Sequence, residues 1–424
     1  MLPFTDAGIR PTVYRMKLLH TGDLHLGKIL HEVSLLDDQI HILTQIRTEL
    51  SQNDYAALII SGDIYDRTVP PAAAVEAFSG FLADIRRHCP DLHICIIPGN
   101  HDSGQRLAYA DRLLSAQRIH IISDPEQSFK PIIIEKNGER LAIFLLPFLT
   151  PLSLDAQTAL SPSIGKKDRE PDLFDTLDES ETRSGLLVSQ ADLAAAAAGR
   201  LEKARPHDIP SVLAAHLFTT GGVTSGSERV FVGTAERVAS TLFNGFSYVA
   251  LGHLHRRQKI SERIHYAGSP LPYAFDEADD VKVLLSVDID YSAPSWPVRV
   301  QEVPLTPKRR MACLAAAFDD LRNAPEYETF KDFLLEITLT DATLVAHPVQ
   351  LLRSRFPSLL SLRQKALVPS AAAEKTVAPA IPAPNGPVDP AADYERFQEL
   401  LYGSADPEKT AMFRTLLAEA ADAT

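Results

Sequence analysis

The stretch KLLHTGDLH at residues 17–25 decides the fold, because an apolar strand runs directly into a polar turn. The residues before the turn predict a short strand, and Asp23 and His25 follow it at once. The apolar runs at 57–60 and 93–97 end in the same way, in SGD and in PGNHD. Strands that each end in polar side chains predict a sheet with one polar edge.

Segments with helical periodicity separate these strands. Apolar residues three or four positions apart mark a first helix at Leu36, Ile40, Leu43, Ile46 and Leu50. A second helix is predicted from Val75, Phe78, Leu82 and Ile85. Further strands are predicted at 131–136 and 140–147 around an Asn137-Gly138 turn, and at 212–215 and 248–251. The alternation predicts an α/β layered fold with a largely parallel central portion.

The composition indicates a globular chain with more than one domain. Its 424 residues exceed what one compact core usually supports, and 45% of them are hydrophobic. No apolar run approaches the ~18 residues of a membrane-spanning helix, and residues 1–15 lack the apolar core of a secretion signal. We therefore expect a soluble cytoplasmic protein without membrane contact. Because Met16 opens the first predicted strand, we expect a chain that begins there to be active.

We predict four consecutive parts in the chain. They are a main α/β domain at 1–290, a small α/β capping domain at 291–368, a Pro/Ala-rich linker at 369–390 and a helical hairpin at 391–424. In the capping domain, Trp296–Val303 is predicted as a strand and Met311–Leu321 as a helix. Within the main domain, the charged segment at 161–184 is predicted to be a surface loop.

Seven side chains that can bind a metal ion follow predicted strand ends. They are Asp23, His25, Asp63, Asn100, His216, His253 and His255. The carboxyl ends of strands in a layered α/β fold converge on one rim, where ligands bind. All seven offer oxygen or imidazole, which disfavours a soft-metal or iron–sulfur site. Seven ligands are more than one ion needs, but they suit two ions that share a carboxylate. Two such ions, roughly 3.5–4 Å apart, can hold a phosphate and activate water.

The ordered motifs GDLH, GDIYD, GNHD, a strand-end histidine and GHLH resemble those of the calcineurin-like metallophosphoesterases. Each motif alone is a common turn, but all five in this order are very specific. Within that superfamily the chain is similar to the SbcD family of nuclease subunits, in HTGDLHLGK, HLFTTGGVTSGSERVFVG (216–233), YVALGHLHRRQ (248–258) and YAGSPLPYAFDE (266–277). The similarity covers residues 16–368 and implies a β-sandwich flanked by helices.

The resemblance also implies a role for each candidate residue. One metal ion would be bound by Asp23, His25, Asp63 and His255. A second would be bound by Asp63, Asn100, His216 and His253, so that Asp63 bridges the two ions. Mn²⁺ is the metal that the resemblance implies. His101 would contact the scissile phosphate and assist the leaving oxygen, and the carboxylate of Asp66 would orient His101.

The resemblance implies a nuclease that digests duplex DNA from 3′ ends and cuts single strands and hairpins. It also implies a homodimer and an SbcC-type ATPase partner, which the hairpin at 391–424 would bind. The net charge of −13 weighs against DNA, because nucleic-acid binders usually carry excess base. A metallophosphoesterase that acts on a small phosphoester or a phosphoprotein is therefore the alternative. A scaffold subunit with a decayed site is disfavoured, because every ligand position is intact.

Overall fold

The computed structural model describes residues 15–150, 189–227 and 237–365, together with parts of the C-terminal segment. Those parts are residues 392, 394, 395, 398 and 404–422. The predicted loop at 161–184 and the predicted linker at 369–390 lie outside the described residues. The described residues up to Lys365 belong to one compact unit, and those of the C-terminal segment belong to a second.

Two six-stranded sheets form the centre of the first unit. The first sheet contains, in spatial order, Val298–Pro304 (β14), Val283–Asp290 (β13), Arg15–Thr21 (β1), Ala57–Ser61 (β4), His93–Ile97 (β5) and Ile119–Ile121 (β6). The second contains Gln258–Lys259 (β11), Ile264–Tyr266 (β12), Tyr248–Gly252 (β10), Ser211–His216 (β9), Glu139–Leu146 (β8) and Ile132–Lys136 (β7). A short ribbon pairs Ile29–Leu30 (β2) with Val33–Ser34 (β3). The central strands of both large sheets are parallel, so their carboxyl ends share one edge.

Helices cover the outer faces of both sheets. They are Leu36–Gln52 (α1), Ala72–His88 (α2), Gly104–Leu107 (α3), Asp111–Ser115 (α4) and Gln190–Ala204 (α5). α1 and α2 pack on the first sheet, and α5 packs on the second. The predicted apolar face of α1 is wrong at Ile40, which is 44% exposed, while Ile42 is buried in its place. The buried face follows the side that meets the sheet, which periodicity alone does not place.

Strand residues alternate between two apolar layers. Leu18 and Ile59 point into the core between the two sheets, whereas Leu19 and Ile60 point toward α1 and α2. This alternation follows from the two-residue period of a β-strand. The resulting order of layers is helix, sheet, sheet, helix, which confirms the predicted layered α/β sandwich flanked by helices.

A smaller parallel sheet follows the sandwich in the chain. It contains Met311–Ala316 (β15), Leu334–Leu339 (β16) and Leu359–Gln364 (β17), connected through Phe318–Asn323 (α6) and Pro348–Leu352 (α7). The strand predicted at Trp296–Val303 is confirmed as β14, but it pairs with β13 and extends the first large sheet, so its assignment to the capping domain at 291–368 is wrong. The helix prediction that follows it in the chain is also wrong in its first part. The helix predicted at Met311–Leu321 begins as β15, because pairing with β16 outweighs the helix propensity of its alanines.

In the second unit, Pro407–Asp422 forms a helix (α8), and helical residues that precede it in the chain pack on it. The Tyr394 and Phe413 rings stack with centroids 4.4 Å apart. Gln398 Nε2 donates to Thr410 Oγ1 at 3.1 Å. These contacts join the described residues on either side of position 403, and the helical hairpin at 391–424 stays a prediction. Across the part of the chain that the structure describes, no helix is both long and apolar enough to cross a bilayer.

Candidate metal centre

The strand ends of both large sheets deliver the candidate ligands to one place. Asp23, Asp63 and Asn100 follow β1, β4 and β5, while His216 and His253 stand at the ends of β9 and β10. His25 and His255 lie two residues beyond Asp23 and His253. All of these side chains are 0–8% exposed, apart from Asn100, which is half-buried. A buried cluster of carboxylates and imidazoles is costly unless charge and hydrogen bonds are balanced within it.

The backbone is strained at four of the candidate ligands. The angle φ is 52° at Asp23, 44° at His25, 49° at Asp63 and 103° at His253. Such values are uncommon for residues other than glycine, and the surrounding structure must offset their energy. Strain at buried polar residues indicates that the fold holds their side chains in one required direction.

Two glycines allow the strand ends to approach each other. A Cβ atom at Gly252 would lie 1.9 Å from the carbonyl oxygen of Ser61, and one at Gly99 would lie 2.1 Å from Asp63 Oδ1. Both distances are far below any van der Waals contact. The ligand loops can therefore meet only because these two positions carry no side chain.

One group of ligand atoms is centred on His25. His25 Nε2 lies 3.0 Å from His255 Nε2 and 3.5 Å from Asp63 Oδ2. Ligand atoms of Asp23, His25 and His255 all lie within 4.8 Å of one another. Burial lowers the pKa of His25 to about 4, even though Asp66 and Asp63 oppose that shift. His25 is therefore a neutral imidazole at physiological pH, as a metal ligand must be.

A second group is centred on His216, and it gives the clearest test of whether a cation fits. His216 Nδ1 donates to the carbonyl oxygen of Ser61 at 2.9 Å, so the neutral ring carries a lone pair on Nε2. Burial lowers the pKa of His216, which keeps the ring neutral. That lone pair faces Asn100 Oδ1 at 3.0 Å and Asp63 Oδ2 at 3.6 Å. Three acceptor atoms that face one another are satisfied by a bound cation.

His253 and Asp63 join the two groups. His253 Nδ1 lies 3.1 Å from Asn100 Oδ1, and its backbone N–H donates to Asp23 Oδ1 at 3.0 Å. Burial would raise the pKa of Asp63, but His216, His25 and His101 together hold it below its usual range. Ligand atoms of Asp23, Asp63 and His216 also lie within 4.8 Å of one another. Both carboxylates are therefore placed between the two groups.

His101 lies beside the cluster, but Asp66 holds it differently from the prediction. His101 Nδ1 donates to the backbone carbonyl of Asp66 at 2.9 Å. The Asp66 carboxylate instead accepts from Lys28 Nζ at 2.9 Å and lies 3.6 Å from His25 Nδ1. Burial opposes ionisation of Asp66, yet His25 and Lys28 lower its pKa to about 2. The sequence places this residue correctly near His101 but cannot distinguish a side-chain contact from a backbone contact.

Sequence reasoning missed two buried carboxylates. Asp102 accepts from the backbone N–H groups of Ile64, Tyr65 and Gly99 at 2.9–3.0 Å, and so ties two ligand loops together. Burial and the neighbouring Asp63 charge raise the pKa of Asp102 to about 7. Glu277, which is fully buried, lies 3.6 Å from His255 Nδ1. Asp102 ends the strand-end motif PGNHD and Glu277 ends YAGSPLPYAFDE, but nothing in either segment predicts the contacts that these carboxylates make.

A family model described as calcineurin-like phosphoesterase matches residues 16–257, which is more than half of the chain. The chain belongs to this family. Calcineurin-like phosphoesterases are metal-dependent hydrolases of phosphoesters, so the match agrees with the converging acceptor atoms around His25 and His216. The matched range contains every candidate ligand, from Asp23 to His255.

The donor set fits hard or borderline divalent cations such as Mn²⁺, because it consists of carboxylate, amide oxygen and neutral imidazole. Asp23, His25, Asp63 and His255 would hold one ion, and Asp63, Asn100, His216 and His253 would hold the other. When bound, such ions polarise a phosphoester and lower the pKa of a bound water. Within this family, the residues of the chain thus supply a site for metal-dependent phosphoester hydrolysis.

Proposed function

We propose that this calcineurin-like phosphoesterase is a Mn²⁺-dependent DNA nuclease that acts on DNA ends together with an SbcC-type ATPase. The observation that supports the proposal is the set of contacts around His255. Ser269, within YAGSPLPYAFDE, donates its backbone N–H to the His255 carbonyl at 3.0 Å, and Glu277 of the same segment lies beside the ring. Ser227, within HLFTTGGVTSGSERVFVG, contacts His255 Nδ1 at 2.5 Å. The segments that resemble the SbcD branch thus meet at one ligand.

His101 is the residue that would exchange a proton with the departing oxygen. Because a carbonyl can only accept, His101 Nδ1 carries the hydrogen that it donates to Asp66. In the imidazolium form, which carries a hydrogen on both nitrogens, Nε2 is then the atom that can give its proton to the leaving oxygen and regain a lone pair. The His101 and His25 rings are 4.7 Å apart, so this proton is delivered next to the metal ligands. A positioned acid of this kind contributes about 10²–10⁴ to the rate.

The alternative is hydrolysis of a small phosphoester or a phosphoprotein by the same centre. The observation that favours it is the net charge of −13, which opposes the approach of a polyanion. Two bound divalent cations would supply strong local positive charge to set against that surface. Both functions would use the same metal-binding residues, and they differ only in the substrate that binds there.

The deciding experiment compares substrates at equal enzyme and Mn²⁺ concentrations. Purified chain, with and without the ATPase, is given linear duplex DNA labelled at its 3′ or 5′ end, and separately p-nitrophenyl phosphate and bis-p-nitrophenyl phosphate. The proposal predicts Mn²⁺-dependent loss of the 3′ label and cleavage of the diester over the monoester. Rapid hydrolysis of the monoester with intact DNA in every reaction would favour the alternative. A His101→Ala chain controls for contaminating nuclease.

The C-terminal hairpin is the proposed contact with the ATPase. Glu395 binds Arg414 at 2.7 Å, in addition to the Tyr394–Phe413 stack, while Met412 is 66% exposed. Two short helices are marginal alone and gain stability from a partner surface. We expect deletion of 391–424 to abolish co-purification with the ATPase while Mn²⁺ binding persists. Undiminished complex formation by the shortened chain would contradict this. The implied homodimer stays a prediction that light scattering of the purified chain tests.

A further inference from the structure

A buried carboxylate lies directly behind one candidate ligand. Glu277, in the short helical turn Phe275–Glu277, is 0% exposed, and its Oε1 lies 3.6 Å from His255 Nδ1. The hydroxyl of Ser227 stands between them. It contacts His255 Nδ1 at 2.5 Å and also hydrogen-bonds to Glu277 Oε1. The three groups form a continuous path from the carboxylate to the imidazole.

The direction of these hydrogen bonds follows from the chemistry of the carboxylate. An ionised carboxylate can only accept, so Ser227 donates its hydroxyl hydrogen to Glu277. The Ser227 oxygen then accepts the hydrogen that His255 carries on Nδ1. His255 Nε2 is left with a lone pair, and this atom lies 3.0 Å from His25 Nε2, on the side of the ligand cluster. The path thus selects the tautomer that a metal ligand at Nε2 requires.

Lys282 fixes both ends of this arrangement. Its ammonium is 7% exposed and donates to Glu277 Oε2 at 2.6 Å, to the His255 carbonyl oxygen at 3.0 Å and to Ser269 Oγ at 3.2 Å. Ser225 donates a further hydrogen bond to Glu277 Oε1 at 2.9 Å. A buried carboxylate with these partners has little freedom to turn, and the same cation holds the backbone of the ligand that the carboxylate faces.

We propose that Glu277 is a positioning residue of the metal centre, which acts through Ser227 to hold His255 with Nε2 directed at the ion. His216 has an equivalent device, because the Ser61 carbonyl accepts from its Nδ1, but that acceptor is backbone and cannot be changed by substitution. The inference rests on His255 as a metal ligand in the proposed function. It does not depend on DNA as the substrate. Loss of such an outer partner typically weakens metal binding about 10–100-fold.

Ser227→Ala is the principal test, because it removes the bridging hydroxyl and leaves the Glu277–Lys282 ion pair in place. Ser227→Thr is its matched control, since threonine keeps the hydroxyl. Binding is measured on metal-free protein by Mn²⁺ titration, with free Mn²⁺ followed by electron paramagnetic resonance. We expect Ser227→Ala to weaken the binding of one ion roughly 10–100-fold and Ser227→Thr to bind nearly as the unaltered chain does.

Glu277→Gln tests the carboxylate itself. A glutamine amide can donate to Ser227, which would reverse the hydrogen bonds and move the hydrogen of His255 to Nε2. Asp38→Asn is the control for losing a buried carboxylate–cation pair, because Asp38 is 2% exposed and binds Arg309 Nε at 3.1 Å. Both substitutions should lower the unfolding temperature of the metal-free chain, but only Glu277→Gln should weaken Mn²⁺ binding.

Two results would overturn the inference, and they are distinguishable. Equal Mn²⁺ affinity in the unaltered chain, Ser227→Ala and Glu277→Gln would reject the positioning role while leaving the metal centre intact. Failure of the unaltered chain to bind Mn²⁺ would reject the proposed function together with the inference. Weaker binding in both variants, with normal binding in Ser227→Thr and Asp38→Asn, supports it.

Discussion

The sandwich and the small three-stranded sheet both contain parallel strands that end in polar residues, yet among the described residues only the sandwich gathers a ligand cluster. In the small sheet, Asp341 follows β16, and its Oδ2 accepts from the backbone N–H of Phe318 at 2.9 Å, at the start of α6. Gln364 at the end of β17 binds the backbone of Val345 through both its oxygen and its nitrogen. These polar side chains satisfy nearby backbone groups. In the sandwich, Asp63 and His216 instead face each other across two sheets.

The difference shows which features mark a site on a common topology. Strain alone is insufficient, because His347 in the small sheet region has a φ of 51° but an exposed side chain. Burial alone is also insufficient, because Asp38 is buried and simply pairs with Arg309. The sandwich combines both with acceptor atoms that face one another, as His216 Nε2 and Asn100 Oδ1 do. Function therefore belongs to the site and not to the parallel strands that support it.

Among the substitutions proposed for the two regions, Asp63→Asn should cause the largest loss of activity. The asparagine keeps an oxygen that can accept from the backbone N–H of His101, as Asp63 Oδ1 does at 2.9 Å, so the fold should persist. The charge shared by the two ligand groups is lost, and we expect Mn²⁺-dependent hydrolysis to fall to the background without metal. Initial rates with bis-p-nitrophenyl phosphate measure this. A rate near that of the unaltered chain would remove Asp63 from the centre.

His101→Ala should separate chemistry from metal binding. His101 lies beside the cluster and is not assigned to either ion, so the alanine variant should retain its metal while turnover falls by about 10²–10⁴. Single-turnover rates, with the metal content of the same sample, check both statements. Loss of metal in this variant would instead make His101 a ligand.

Asp66→Asn should give a milder defect. Its backbone carbonyl, which accepts from His101 Nδ1, is unchanged, and the amide can still accept from Lys28. What is lost is the charge beside His25, so we expect a loss of about 1 kcal/mol, or roughly fivefold in kcat/KM. A defect as large as that of His101→Ala would mean that the carboxylate itself acts on the substrate.

Asp341→Ala, in the small sheet, should leave the candidate metal centre unchanged. The substitution removes the acceptor for the first N–H of α6, and losing a helix-terminal acceptor of this kind costs about 1 kcal/mol of folding free energy. Denaturant unfolding measures that loss, while Mn²⁺ affinity and hydrolysis should equal those of the unaltered chain. A clear change in either one would show that the small sheet contributes to the centre.

Local pattern predicts the layered α/β arrangement and its ligand edge because local rules act there without competition, whereas the two-sheet sandwich is implied by the family resemblance. The Asn137-Gly138 turn has positive φ at both residues, as its hairpin requires, and the strand-end motifs converge as parallel pairing dictates. The failures arise where tertiary contacts decide. β14 joins the first sheet through β13, and β15 is a strand through β16, although neither partner can be read from local pattern.

The support around the ligands is the least predictable part of the site. Glu277 follows its ligand His255 by 22 positions, and its partner Lys282 precedes β13, so only the folded chain brings them together. Asp66 shows the same limit on a smaller scale, because its position near His101 is predictable but the atom that makes the contact is not. Ligand types follow from motifs, whereas hydrogen-bond partners follow from packing.

The central claim is that the sandwich edge binds two divalent cations that share Asp63, and counting bound Mn²⁺ tests it most directly. Metal-free protein is equilibrated with Mn²⁺, separated from free ion by rapid gel filtration, and its manganese and protein contents are measured. We expect two ions per unaltered chain and none retained by Asp63→Asn. One ion or none in the unaltered chain, or two ions retained by Asp63→Asn, would contradict the account.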